Sequence, residues 1–234
     1  MGLAVITGGS RGLGFQCAKE MVAAGYEVIL VAKNPERLAA AAAQLGGAHF
    51  RAVDLQDQAA TRQVFSEILA TFGAPEILIL AHGVMSEKMS KTLRTTDQEW
   101  RRVMAINLDS TFTIVNILGA AMAEARHGRI IIFSACLGRM SGPGNAGGLA
   151  PYRISKAGVN ALVRNLAHET NHGTRGLLVD AICPNHTRTD MGGADAPLSV
   201  EEGADTAVWL ATRKFDPAVD KTGFLWEERQ IIDW

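Results

Sequence analysis

Tyr152 and Lys156, in the stretch "PYRISK", are the residues whose types and spacing most directly suggest chemistry. Four positions apart on a helix, they share one face, and Pro151 is a residue that can open such a helix. A phenol titrates near ~10, and a neighbouring ammonium lowers that value toward neutrality. Such a tyrosine can give a proton to a carbonyl oxygen, or take one from an alcohol, as a hydride moves at the adjoining carbon. The lysine could also hold a ribose. A bare Y-x-x-x-K is common by chance, so it gains meaning only beside a nucleotide site.

The start of the chain supplies one. "LAVITGGSRGLGFQCAKEMVAAG" reads as a strand, a glycine-rich turn and an amphipathic helix, with Thr7, Gly8, Gly12 and Gly14 in the pattern T-G-x-x-x-G-x-G. Glycines serve where backbone turns sharply, touches a diphosphate or packs helix on strand. The helix N-terminus then offers free N–H groups to phosphates, with Ser10, Arg11 and Leu13 completing the cradle. The second strand, "VILVAKN", ends in Ala32 and Lys33 with no acid to take ribose hydroxyls. A missing acid with Lys33 and Arg11 nearby favours NADPH/NADP+ over NAD. Asp54, followed by Leu55, is placed to face the adenine.

These groups need a scaffold, and the hydrophobic pattern describes one. Short runs rich in Val and Ile predict strands at Leu3–Thr7, Glu27–Val31, Ala48–Ala52, Ile77–Ala81, Arg129–Phe133 and Leu177–Ile182. They are continuous rather than alternating, as in a parallel sheet covered on both faces. Helices are expected near Gly12–Ala24, Pro35–Leu45, Gln58–Phe72, Asp97–Arg126 (with Asp97 as N-cap), Pro151–Asn171 and Val200–Thr212. The alternation predicts one α/β domain over 1–234, a doubly wound Rossmann-type sheet with helices on both faces. Loops 140–150 and 185–200 follow strand ends, where open α/β sheets bind ligands, and are expected to shape a small-molecule site.

Bulk properties exclude other classes. Net charge is -1, which gives no electrostatic case for nucleic acid or an anionic membrane. No run approaches the ~18 apolar residues of a membrane span, and "MGLAVITGG" lacks the basic start of a signal peptide. Cys17, Cys136 and Cys183 fit neither a disulfide framework nor a C-x-x-C pair, so a reducing, cytoplasmic setting is expected. No metal site is expected. His168 and His172 are four apart, yet no third ligand accompanies them.

Taken together, the glycine turn, "PYRISKAGVNAL" and "RTDMGGADAPLSVEEGADTAVWLA" resemble the short-chain dehydrogenase/reductase superfamily, in its carbonyl-reductase-like branch, over essentially the whole chain. The resemblance implies a seven-stranded parallel sheet and NAD(P)(H)-dependent carbonyl/alcohol chemistry. It implies homodimers or homotetramers formed through the two long helices that contain Asn107 and Tyr152. Tyr152 would be the acid/base, and Lys156 would bind the ribose and depress the tyrosine's pKa. Asn107 would hold a water in the proton relay. Pro184, Thr187 and Thr189 would lie along the nicotinamide carboxamide.

The chain departs from the family in three places. The N-N-A-G after the fourth strand reads Leu80, Ala81, His82, Gly83, and the P-G after the sixth reads Pro184–Asn185. The serine that relatives present after the fifth strand falls on Ala135, with Ser134 one position early. Adjacent strand residues face opposite sides, so Ser134 cannot substitute without a bulge. His82, His186, Ser141 and, more weakly, Cys136 are the candidate replacement donors. The leading expectation is an NADPH-dependent reductase of a carbonyl, imine or activated carbonyl. The alternatives are a cyclase or isomerase on the same scaffold, and a non-enzymatic cofactor-binding protein.

Overall fold

The computed structural model describes residues 2–87, 91–142, 146–216 and 218–234. Eight strands form one sheet in the order β3-β2-β1-β4-β5-β6-β7-β8. They are β1 (Leu3–Thr7), β2 (Glu27–Ala32), β3 (His49–Ala52), β4 (Ile77–Leu80), β5 (Gly128–Phe133), β6 (Leu177–Ile182), β7 (Leu225–Glu227) and β8 (Gln230–Ile232). The helices are α1 (Gly12–Ala23), α2 (Pro35–Gln44), α3 (Gln58–Phe72), α4 (Asp97–Ala125), α5 (Ala150–Glu169) and α6 (Val200–Thr212).

Along β1, β2, β4, β5 and β6 neighbouring residues enter different cores, which explains the unbroken apolar runs. Val5, Leu78, Leu80, Ile130 and Ile132 pack with α3, α4 and α5, whereas Ala4, Ile6, Ile79, Ile131 and Phe133 pack with α1, α2 and α6. Among the described residues only α4 is long and apolar enough to cross a membrane; half of its most apolar window is buried in the protein. Two wide π-type turns, Ala105–Asp109 and Val115–Gly119, interrupt it. Its N-cap is Thr96, whose hydroxyl accepts from the Glu99 N–H at 3.2 Å, one residue before the Asp97 that the sequence suggested.

Two features depart from expectation. The sheet has eight strands rather than seven, and β8 runs antiparallel to β7. Both are three residues long, too short to show a period. Their turn, Glu228–Arg229, has positive φ at both positions without the usual Gly or Asn. Arg229 is held there by Asp205 and by Thr206 Oγ1. The second departure is a disulfide between Cys136 and Cys183, where the sequence pointed to none. Their 47-residue separation hides the pairing. Phe133 is in register with Ile182, so the cysteines emerge side by side from the ends of β5 and β6.

The β6–β7 edge is fastened by a buried acid. Asp180 accepts from Trp226 Nε1 at 2.8 Å, from the Gly223 and Phe224 N–H groups and from Thr222 Oγ1, with Arg213 at 3.8 Å. Burial raises its pKa, opposed by these donors. Asp180→Ala leaves several buried donors unmet, so a loss of ~3–5 kcal/mol in urea unfolding is expected. Asp180→Asn, which keeps one acceptor, is expected to lose clearly less.

Candidate active site

A cleft of about 820 Å³ runs over the C-terminal ends of β1, β2, β4, β5 and β6. Its first wall is the glycine turn. A Cβ on Gly14 would lie 2.4 Å from the Gly8 carbonyl oxygen, so helix and turn meet only because no side chain intervenes. Gly8, Ser10, Arg11, Gly12, Leu13 and Gly14 all line the cleft. Thr7 lies behind it, fully buried.

The far end of this wall carries cations. Lys33 Nζ bonds Asp54 Oδ2 at 2.7 Å, and this bond, ahead of the opposing effect of burial, holds the Asp54 pKa low. Arg11 pairs with Asp190. Arg37, in the first turn of α2, also lines this end. Its place just after the turn that follows β2 was the available signal for Arg37. Leu55, Ala81 and Gly83 line the cleft as expected.

The inner end holds the reactive pair. The Tyr152 N–H donates to Ser86 Oγ at 2.8 Å, so a residue beyond β4 caps the first turn of α5. Lys156 Nζ donates to the Phe133 carbonyl at 2.6 Å and lies 6.0 Å from the Tyr152 ring centroid. Burial pushes Tyr152 up to about 12 and Lys156 down to about 8. The expected depression of the tyrosine by the lysine is therefore absent here: desolvation outweighs a cation that is turned toward Phe133. The phenol is protonated at neutral pH.

Asn107 lies in the first π turn of α4. Its Oδ1 accepts the Val84 N–H at 2.8 Å, and its Nδ2 donates to the Val84 carbonyl and to Ser155 Oγ, both at 3.0 Å. A Cβ at Gly83 would sit 3.4 Å from Lys156 Nζ and 3.5 Å from Asn107 Oδ1. These are ordinary contact distances, so the lysine and the asparagine both pack on this turn without glycine being required there. The Asn107 amide is thus fully engaged in tying the strand β4 exit to α4 and α5.

The candidate replacement donors are all occupied. His82 lines the cleft, but Nδ1 meets Thr7 Oγ1 at 2.6 Å and Nε2 meets Ser110 Oγ at 2.9 Å. Ser134 Oγ donates to Asn160 Oδ1 at 2.5 Å, toward α5. The alternation of faces along β5 turns it there. Ser141 Oγ bonds the Trp234 carbonyl, and Cys136 is in the disulfide. His186 Nε2 meets the Gly192 carbonyl at 2.7 Å and does not line the cleft. Ser134 lines the cleft and Ala135 does not, and none of these five side chains turns a free donor into it.

Burial, then the Lys156 charge, pushes His82 from its ordinary 6.5 down to about 3. Between those values the unfolded chain binds a proton that the native chain refuses. Stability is therefore complete above pH 6.5 and falls as pH drops, by on the order of 1 kcal/mol per pH unit. Urea titrations from pH 7.5 to 4.5 are expected to show this slope, and His82→Asn is expected to flatten it.

In the loop after β6, Asn185 takes the place of the family's glycine at φ 56°. Asparagine tolerates that left-handed conformation better than most residues, so the turn survives the substitution. Pro184 and Thr189 line the cleft, as do Arg188, Asp190 and Met191. Thr187 does not; it is buried, donating to the Pro184 carbonyl at 2.7 Å. In loop 140–150, positions 143–145 fall outside the described residues, and residues 140–142 and 146–150 do not line the cleft.

Comparison with known proteins agrees with this geometry. The family model described as short chain dehydrogenase matches residues 2–197. The chain is 35% identical over 191 residues to the 3-oxoacyl-[acyl-carrier-protein] reductase FabG of Escherichia coli (strain K12), covering 81% of this chain and 75% of that protein. It is 32% identical over 193 residues to the short-chain reductase protein NovJ of Streptomyces niveus, covering 81% and 70%. Among solved structures, a protein titled ribose-5-phosphate isomerase from Brucella melitensis 16M matches with TM-score 0.84 and 27% identity, covering 96% and 89%. A short chain dehydrogenase from Escherichia coli CFT073, titled as complexed with NADPH, shares the fold with TM-score 0.84 and 21% identity, covering 97% and 96%.

Proposed function

The chain belongs to the short chain dehydrogenase family and is an oxidoreductase of it, and from that premise we propose that it uses NADPH to reduce an activated carbonyl or imine of a small organic substrate. The observation that carries the reading is a buried Tyr152, its phenol kept protonated by desolvation, beside Lys156; Ala135 is read as replacing a hydroxyl donor that relatives carry there. The residues of the cleft fit such a cofactor. The glycine cradle leaves room for a diphosphate, and Arg11, Lys33 and Arg37 line its adenosine end without a competing acid at the end of β2.

Bound there, the reduced nicotinamide supplies a hydride. Tyr152 gives its proton to the substrate oxygen or nitrogen as negative charge builds on it. Lys156, whose ammonium lies 6.0 Å from the Tyr152 ring centroid, would hold the ribose. Asn107 fixes the Gly83–Val84 turn against which Lys156 lies. Without a second donor, the substrate must bring its own polarisation. A 3-oxoacyl group, the substrate class named for the FabG relatives, is a carbonyl of that kind. Self-association through α4 and α5 is part of the proposal, supported by Phe112 and Ile154, apolar side chains 52% and 43% exposed on these helices.

The test is steady-state oxidation of NADPH and NADH against 3-oxoacyl thioesters, imines and plain ketones. Turnover is expected with activated substrates, with NADPH preferred by about tenfold or more, and with Lys33→Asp shrinking that preference. Tight NADPH binding with no turnover on any substrate would sink the reading.

A further inference from the structure

The cysteine pair lies just behind the inner end of the cleft, beside the lining residues Ser134 and Pro184 and outside the roles assigned so far. Cys136 directly follows Ala135 and opens a 3-10 turn, Cys136–Gly138. That turn packs tightly on the helix of the reactive pair: a Cβ on Gly138 would meet Lys156 Cβ at 2.6 Å. Asn160 Nδ2 donates to the Gly138 carbonyl and Ser134 donates to Asn160, so the turn and α5 share one bonded network. Cys183 directly precedes Pro184, which lines the cleft. The bond therefore clamps the β5 exit to the β6 exit at the point where both enter the site.

The two sulfurs are not equivalent. Cys183 is 3% exposed and receives the Cys136 N–H at 3.0 Å, whereas Cys136 is partly exposed, with Glu227 Oε2 3.1 Å from its sulfur. An external thiolate reaches Cys136 more readily. Cys183 then leaves as the thiolate, with an N–H already aimed at its charge.

We propose that Cys136–Cys183 is a reversible thiol/disulfide modification site that stiffens the substrate end of the cleft. Oxidation by a peroxide balances simply. One thiolate attacks the peroxide oxygen, forming a sulfenic acid and releasing one water or alcohol. The second thiol displaces hydroxide from that sulfur as water, forming the S–S bond. Two sulfurs lose two electrons and the O–O bond gains them. A dithiol reverses the bond, becoming a disulfide itself and leaving both protein thiols protonated or as thiolates.

The full-length protein, first reduced with dithiothreitol, is treated with one equivalent of hydrogen peroxide. Alkylatable thiols in denaturant are expected to fall from three to one, the remaining one being Cys17, and dithiothreitol is expected to restore three. Amide exchange in peptides covering 135–139 and 183–186 is expected to slow by about tenfold on oxidation, with no such change in C136S. Three thiols remaining after peroxide would overturn the proposal. So would identical exchange in both states, or stoichiometric Zn2+ retained by the reduced protein and lost in C136S. That last result would make Cys136, Cys183 and Glu227 a metal ligand set instead. Neither readout uses cofactor or substrate, so failure of the reductase reading leaves this test standing.

Discussion

Tyr152→Phe is expected to lower NADPH-dependent turnover by about 10²–10⁴-fold while leaving NADPH affinity within about a factor of two. The substitution keeps the ring and removes only the oxygen. Tyr152 is 6% exposed and its phenol is held near 12 by burial, so the proton sits on the residue throughout the neutral range. Its removal leaves the incipient alkoxide without a proton donor. Measured kcat should fall much more than KM rises, because the proton moves only as the barrier is crossed. An enzyme that kept its rate without the hydroxyl would be doing non-redox chemistry or protonating from elsewhere.

Ala135→Ser is expected to act in the opposite direction. A hydroxyl restored at this position gives a second donor to the developing oxyanion, and one preorganised donor is worth about 10²–10³ in rate. The gain should appear in kcat/KM for plain ketones and be small for substrates already polarised by a neighbouring acyl or iminium group. Running both substrate types on both proteins separates the two ideas. Equal gains would mean that substrate polarisation is not what compensates for the alanine. No gain on either would mean that the substrate oxygen does not lie beside residue 135. Ser134 is no confounder, since its hydroxyl is committed to Asn160.

Much of this was legible in the sequence because parallel strands and their helices carry local signals. β1, α3, β6 and α6 show why: they match their expected limits because apolar runs and caps are read within a few residues. The glycine turn and the Y-x-x-x-K step are equally local. What stayed hidden depends on distant partners. β7 and β8 are strands because Asp180 and the β6 edge hold them, and three residues have no readable period. The disulfide needs the β5–β6 register. His82 suggested a donor to substrate, yet Thr7, Ser110 and Thr111 converge on its ring from 75, 28 and 29 positions away. The upward direction of the Tyr152 shift stayed hidden for a similar reason: spacing shows a nearby lysine but not the desolvation around both.

The two wide turns in α4 have a bearing on how this helix tolerates change in length. A regular helix advances about 100° per residue, and a π turn accommodates roughly one residue beyond that count. Deleting one residue within Ala105–Asp109 would let the helix close into an ordinary repeat without breaking. Residues downstream would keep their azimuth, because the wide turn had already absorbed the extra residue. Ser110 and Thr111 would stay on His82, and Ile114, Leu118 and Met122 on the sheet. The wide turn at Asn107 thus acts as one residue of slack in the helix. Losing it would change the local shape that presents Asn107 to Val84 and Ser155, not the packing stripe beyond it.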